Sequence, residues 1–264
     1  MFKENRSFWL YFLGIILLFL VMFFVLRGYL GDRSLFSFIE GNNPQVIVPT
    51  KLSATVSPDN TPGFTLDISK NYSAKIKTNK GEFTIDLFEK NAPNTVNSFV
   101  FLASQNYFNN TKFHRLIPGI LLQGGSSTSG NSDPADDGTG GPGYVIADEI
   151  NWDSLDYSEF LRAQLTKEGY TSATKIASVA IDKYRLAMAS PGPNLNGSQY
   201  FIVLGDKGNT AVADLDGRHT VFAEVVEGKE LIDTLAAIPV DDPNSLSPRP
   251  VEDIVVNSVE IISQ

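Results

Sequence analysis

The chain has 264 residues, 42% hydrophobic and 19% charged, which suits one full-sized folded domain with appendages and excludes wholesale disorder. A formal net charge of -9 is the wrong sign for a nucleic-acid binder and would not draw the body of the protein to anionic lipid headgroups. There is no cysteine, so disulfides, thiolate nucleophiles, zinc–thiolate sites and a lipidated-cysteine anchor are all excluded.

Residues 1–7 form a short N-terminal tail, and Phe8–Leu26 then runs 19 residues without a charge. At about 1.5 Å of rise per residue that is roughly 28 Å, close to a bilayer core of about 30 Å. The segment predicts a transmembrane helix over 8–26 rather than a cleavable signal peptide, because no small-x-small site follows in Leu26–Gly31. Trp9, Tyr11 and Tyr29 sit near its ends, where interfacial aromatics belong. Lys3, Arg6 and the α-amino group precede it, and Arg27 and Arg33 follow. That slight bias places the tail in the cytoplasm and predicts a single-pass cell-membrane protein with its folded domain extracytoplasmic. Residues 27–70, rich in Ser, Asn, Thr and Pro, read as a tether with an end-to-end distance of roughly 35 Å if flexible. The alternative is that part of this stretch packs as an added strand.

Folded protein is expected over 71–264. Tyr72–Thr78 and Glu82–Phe88 alternate apolar and polar around Asn79-Lys80-Gly81, predicting a hairpin. Pro93 opens a helix whose Val96, Phe99, Val100 and Ala103 share one face. Strand-like runs follow at Lys112–Ile117, Ile120–Gln123, Tyr144–Ala147, Arg185–Ala189, Gln199–Leu204, Thr220–Val226 and Ile254–Ile262, with a second helix over Lys229–Ala237. Many short strands with two helices predict a mainly β fold, a closed antiparallel barrel capped by helices. Between Glu149 and Lys183 the texture changes. A helix over Tyr157–Lys167, with Phe160, Leu161 and Leu165 as its apolar face and Gly169 near its end, reads as a loop insertion at about 150–183.

Composition allows a Ser-His-Asp triad, but the motifs of common catalytic sites do not occur. The two histidines, His114 and His219, lie in separate segments, and neither H-E-x-x-H nor G-x-S-x-G occurs. Gly138–Gly143 lacks the Gly-Lys-Ser/Thr of a phosphate loop. Asp133, Asp136 and Asp137 fail EF-hand spacing, since Ala135 takes the third position and Tyr144 the twelfth, and they read as a solvated loop.

Two blocks carry a resemblance. Phe113–Gly125 (FHRLIPGILLQGG) resembles the cyclophilin signature F-H-R-[VI]-I-P-G-F-x-x-Q-G-G, and Leu186–Ile202 is similar to that family's second block, L-[AS]-M-A-N-x-G-P-[ND]-x-N-G-S-Q-F-F-I. Asp133-Pro134 with Gly138–Tyr144, and Leu215–Phe222, match family loops in the same order. The resemblance spans Tyr72 to Ile262 and implies a closed eight-stranded barrel with two helices. It also implies rotation about X–Pro bonds in Pro-containing peptides and in unfolded or exported proteins, with no cofactor and no metal.

That reaction breaks no bond. Amide resonance sets a barrier of about 18–20 kcal/mol, and what lowers it is a donor aimed at the prolyl nitrogen, whose lone pair appears only as resonance is lost. By its place in the motif, Arg115 is that donor, and a permanently charged, rigidly forked guanidinium suits the task. The resemblance assigns Gln123 and Gln199 to hydrogen bonds with the substrate backbone, Gln123 with the catalytic pair. It assigns Ile120, Leu121, Phe201, Leu215 and His219 to the proline pocket, and Ala189 and Ser190 to the strand that pairs with the peptide. Phe113 and His114 match as core and strand support, Phe113 being counted in the pocket wall as well. Three positions depart from the pattern. Ile120 replaces Phe, Ser190 replaces Asn, and Asp214 stands where many eukaryotic members have a Trp associated with cyclosporin binding, which puts cyclosporin sensitivity in doubt. The alternative to an enzyme is a cyclophilin-like module that grips Pro-containing segments without turning them over.

Overall fold

The computed structural model describes residues 61–263. The tail (1–7), the predicted transmembrane segment (8–26) and residues 27–60 of the predicted tether lie outside the described residues. Among the described residues no helix is long and apolar enough to cross a membrane.

The first hairpin follows its alternation. Strands β1 (Tyr72–Thr78) and β2 (Gly81–Leu87) pair antiparallel with Thr78 opposite Gly81, so the loop is only Asn79-Lys80. Gly81 belongs to the strand, at φ 139°, with Leu231 Cδ2 3.0 Å from where a Cβ would sit. Ala74, Ile76 and Thr78 turn inward at the period of two.

Helix α1 (Pro93–Ser104) starts on a proline and has Ala92 at its cap, which offers no side-chain acceptor. A distant residue supplies it. The Glu149 carboxylate accepts the N–H groups of Asn94 (3.1 Å) and Thr95 (2.8 Å) and the Thr95 hydroxyl (2.8 Å). A carboxylate there satisfies orphan donors and complements the helix dipole.

The remaining elements are β3 (Arg115–Ile117), β4 (Leu121–Gly124), α2 (Glu159–Lys167), β5 (Arg185–Met188), β6 (Tyr200–Val203), α3 (Thr210–Ala213), β7 (Val221–Glu227), α4 (Lys229–Ala236) and β8 (Val256–Ser263). α3 is too short to show helical periodicity in the sequence. Tyr144–Ala147 is not a strand and makes a single bridge, Ile146 to Asn196.

The eight strands form one antiparallel sheet in the order β3-β4-β6-β5-β7-β2-β1-β8. It curls until its ends meet. Lys112 bridges Val255, and the N–H groups of Asn110 and Phe113 donate to the carbonyls of Val256 (2.7 Å) and Ile254 (2.9 Å). The expected closed barrel is thus a curled sheet without a ladder between β3 and β8. The free edge of β3 is taken instead by the segment that precedes β8, with Leu116 N–H donating to the Pro248 carbonyl at 2.9 Å.

The concave side holds the main core, including Ile76, Ile85, Leu116, Leu122, Leu186 and Ile202. At its centre Tyr200 meets Phe99, Phe108, Phe113 and Phe222 edge-on, at centroid distances of 5.9 to 6.3 Å. α1 packs on β8 and α4 on β2. β4 and β6 are buried at every residue, because their outer face is also covered, and they therefore read as unbroken apolar runs.

Two sequence expectations shift at the edges of the domain. Residues 63–66, assigned to the tether, are fixed to α1: Asn97 Oδ1 accepts the N–H groups of Thr65 (2.9 Å) and Leu66 (3.1 Å), and Leu66 joins the core without forming a strand. In the insertion, Leu161 and Leu165 point into a small core of their own with Ile150, Trp152, Tyr157 and Tyr170, whereas Phe160 is 81% exposed. Residues 161 and 165 are one turn apart and share a face, and residue 160 lies about 100° away from it.

Candidate active site

Register assembles the site. Arg115 pairs with Gln123, Gln123 with Phe201, Phe201 with Ala187, and Ala187 with Val221. Directly paired residues share a sheet face, so this row crosses five strands on the outer surface, opposite Leu116, Leu122, Ile202 and Leu186 of the core.

The apolar part of that face comprises Leu121, Ala187, Ala189, Phe201, Val203, Leu215 and Val221, closed by Ile181 and Val212. Ile117 and Ile120 stand half-buried at its rim. His219 meets Phe201 edge-on, 5.1 Å between centroids. Its Nδ1 lies 2.9 Å from the Met188 carbonyl, which can only accept, so Nδ1 carries the proton and Nε2 keeps a lone pair. Burial pushes this imidazole down to about 4, so it is neutral at pH 7.

The polar part is a directed relay. Arg115, only 1% exposed, donates from Nη1 to Gln123 Oε1 and from Nη2 to the Leu246 carbonyl, both at 3.0 Å. A guanidinium has no acceptor, so Gln123 must offer its oxygen there and turn Nε2 to Gln199 Oε1, at 3.0 Å. Gln199 Nε2 then donates to the carbonyls of Gly138 (2.8 Å) and Gly140 (3.0 Å). One cation thereby sets the orientation of both amides and of the glycine loop. Burial pushes the guanidinium down to about 10, leaving it charged at neutral pH, and Nε is buried without a partner. A cleft opens beside the relay between the Gly138–Tyr144 loop and Pro191–Gly197. A buried, charged donor set between an apolar pocket and a cleft can stabilise a pyramidal nitrogen next to a bound ring.

Of the other expected residues, Phe113 falls outside the site, and His114, Ala189 and Ser190 border it. Phe113 packs inside the sheet against Tyr200 and beneath Gly124, away from the pocket. Regular alternation begins only at Arg115; Phe113 still belongs to the pairing with Ile254, which turns its side chain inward. His114 is buried and pushed down to about 4 by that burial, with Nε2 3.1 Å from where a Gly138 Cβ would lie, so it backs the glycine loop. Ala189 donates its N–H to the Gln199 carbonyl at 2.9 Å. The Ser190 hydroxyl is spent on the Gly192 carbonyl and closes its own turn.

Residues 73–261 match the family model for cyclophilin-type peptidyl-prolyl cis-trans isomerases. The chain belongs to that family. It is 35% identical to peptidyl-prolyl cis-trans isomerase B of Streptomyces anulatus over 71% of this chain and 95% of that protein. It is 32% identical to peptidyl-prolyl cis-trans isomerase A of Mycobacterium tuberculosis, over 72% and 91% respectively. Among solved structures it resembles the cyclophilin-type isomerase of Cryptosporidium parvum, with a TM-score of 0.53 and 28% identity over 74% of this chain and 99% of that one. A second structure of that protein, in the presence of the dipeptide Ala-Pro, matches with a TM-score of 0.53 and 29% identity.

Within this cyclophilin fold, the sequence reading missed Leu246, whose carbonyl holds Arg115, and Ile181, Val212 and Val221 of the apolar cluster. Val221 escaped because it shares parity with Ala223 and Val225, which face the main core, and reaches the outer face only through the register shift between Leu186 and Ala187. Leu246 had no signal, because a backbone carbonyl from a distant loop leaves no side-chain signature.

Proposed function

We propose that this cyclophilin-type isomerase accelerates rotation about X–Pro bonds by seating the prolyl ring on Phe201, Leu121, Leu215, Ile120 and His219 and directing the Arg115 guanidinium at the prolyl nitrogen. The observation that carries this is the Arg115–Gln123–Gln199 relay, which holds a buried cation beside the apolar cluster. Water is largely excluded there, so a donor contributes more than it would in bulk, and a preorganised one needs no rearrangement as charge appears on nitrogen. No bond is broken, so neutral histidines fit the chemistry. Gln123 acts as the positioning partner of Arg115. Ile120 offers apolar surface in place of an aromatic ring.

We further propose that residues 8–26 anchor the chain in the cell membrane and hold the domain on the extracytoplasmic side, where Pro-containing segments of unfolded or exported proteins are its substrates. The 19 uncharged residues and the flanking charges support this. Protease added to intact spheroplasts should remove the domain; its survival there, with removal only after lysis, would place it inside.

The activity is tested by isomerisation of a short X–Pro peptide with the wild-type chain and Arg115→Ala. The wild type is expected to exceed the spontaneous rate, and the variant to lose about 100- to 1,000-fold in kcat/KM, the usual cost of one transition-state donor. A folded wild type that binds the peptide without accelerating it would establish the non-catalytic module instead.

A further inference from the structure

We propose that the insertion at 150–183 is a buttress for the proline pocket, and that Glu168 and Arg218 are positioning residues that hold Leu215 and His219 in place. This rests on the isomerase reading above and adds to it a structural origin for substrate affinity.

The insertion does not hang free. Its small core leans on the loop Leu215–His219, which carries two pocket residues. Gly217, at φ 79°, lies so close that an added Cβ would stand 2.6 Å from Leu165 Cδ1 and 3.0 Å from Tyr157 Cε2. Only a glycine permits that approach and that backbone. Leu165 is fully buried. The Tyr157 hydroxyl is pushed up by burial and by the Asp216 carboxylate next to it. Beside this wedge is a forked ion pair: Arg218 donates from Nε to Glu168 Oε2 at 2.8 Å and from Nη2 to Oε1 at 2.9 Å. Its third nitrogen group, Nη1, donates to the Asp214 carbonyl at 2.7 Å, closing the loop on itself. A second strap comes from the far end of the insertion, where Ile181 N–H donates to Asp216 Oδ1 at 3.0 Å and Ile181 enters the pocket cluster.

Glu168 is itself held in place. It is the C-cap of α2, followed by Gly169 at φ 92°. Gly169 N–H donates to the Thr166 carbonyl (3.0 Å) and Tyr170 N–H to the Leu165 carbonyl (2.9 Å), a Schellman closure with Tyr170 and Leu165 in contact. The carboxylate therefore starts from a fixed backbone, and the planar fork of Arg218 loses less freedom per hydrogen bond formed than a lysine would. Gly169 also faces Pro193, on the loop that walls the other side of the cleft. The insertion thus touches both flanks of the site while leaving Arg115 and its relay untouched.

A pocket wall binds the prolyl ring alike in ground and transition states, so loosening it should raise KM and leave kcat. The test uses the full chain, with KM, kcat and peptide Kd measured for wild type and Glu168→Gln at low and high salt. Glu168→Gln keeps the shape and removes the charge. It is expected to raise KM and Kd about two- to fivefold, the range of a partly exposed ion pair, with kcat within about twofold and an unchanged melting temperature. Wild-type KM should rise with salt toward the variant's value, and the variant's KM should be flat. Equal Kd and equal salt dependence in wild type and Glu168→Gln would overturn the buttress while leaving the isomerase intact. A wild type that binds peptide without turnover would sink the isomerase reading alone, with Kd still deciding the buttress; a wild type that does neither sinks both.

Discussion

Acid should unfold this domain in a pH window set by its two buried histidines. His114 and His219 are 4% and 6% exposed, and burial pushes both down to about 4 from the ordinary 6.5. The unfolded chain protonates them near 6.5 and the folded protein only near 4, so between these values the unfolded state binds more protons. Their contribution to stability is complete above pH 6.5, falls as the pH drops through the interval, and is spent below about 4. At pH 5 the loss is about 2 kcal/mol for each ring, or about 4 kcal/mol together. A net stability of roughly 5–15 kcal/mol for such a domain makes that a large fraction. Carboxylates held low by partners, such as Glu168 beside Arg218 and Asp241 beside Arg249, act at lower pH, and buried Asp148, pushed up, acts in the opposite direction. The assay is denaturant unfolding at pH 7.5 and 5.0 for wild type and His219→Asn, whose amide N–H can replace the Nδ1–H donation to Met188 without titrating. The wild type should lose about 4 kcal/mol and the variant about 2 kcal/mol. A variant that loses as much as wild type would show that His219 is not held neutral by burial.

Two further substitutions separate core from site. Phe113→Ala opens a cavity beside Tyr200 and should cost about 3–5 kcal/mol in denaturant unfolding, with kcat/KM per folded molecule within about threefold of wild type; a large selective rise in KM would return Phe113 to the pocket wall. Gln123→Leu leaves Arg115 Nη1 and Gln199 Oε1 buried without their partners, and should cost about 1–3 kcal/mol and at least about tenfold in kcat/KM. Its effect should be far from additive with Arg115→Ala, because both changes break the same relay, and simple additivity in the double variant would show that the two side chains act separately.

Much of this protein was legible in the order of its residues. Period-two alternation located β1 and β2, and a strand-like run β7, to within a residue or two; Pro93 marked the start of α1, and the match to family blocks and loops singled out Arg115, Gln123 and the pocket residues. Those features are local: they depend on spacing along a strand or on residue types within one stretch. What the tertiary structure alone decided is non-local. The orientation of Gln123 and Gln199 follows from a guanidinium on a neighbouring strand, and the cap of α1 comes from Glu149, more than fifty residues away. Arg115 is steadied by the carbonyl of Leu246, which no side-chain pattern could reveal. Phe113 turns to the core because the strand's regular register starts two residues later, and Phe160 turns to solvent because helical phase puts it off the packed face. The sequence marked 150–183 only as a loop insertion; packing, through a glycine that lets Leu165 approach and an arginine that finds Glu168, places it against the loop that carries His219. Hydrophobic periodicity is written into the chain at short range, whereas hydrogen-bond direction and loop contact are settled only when distant segments compete for the same space.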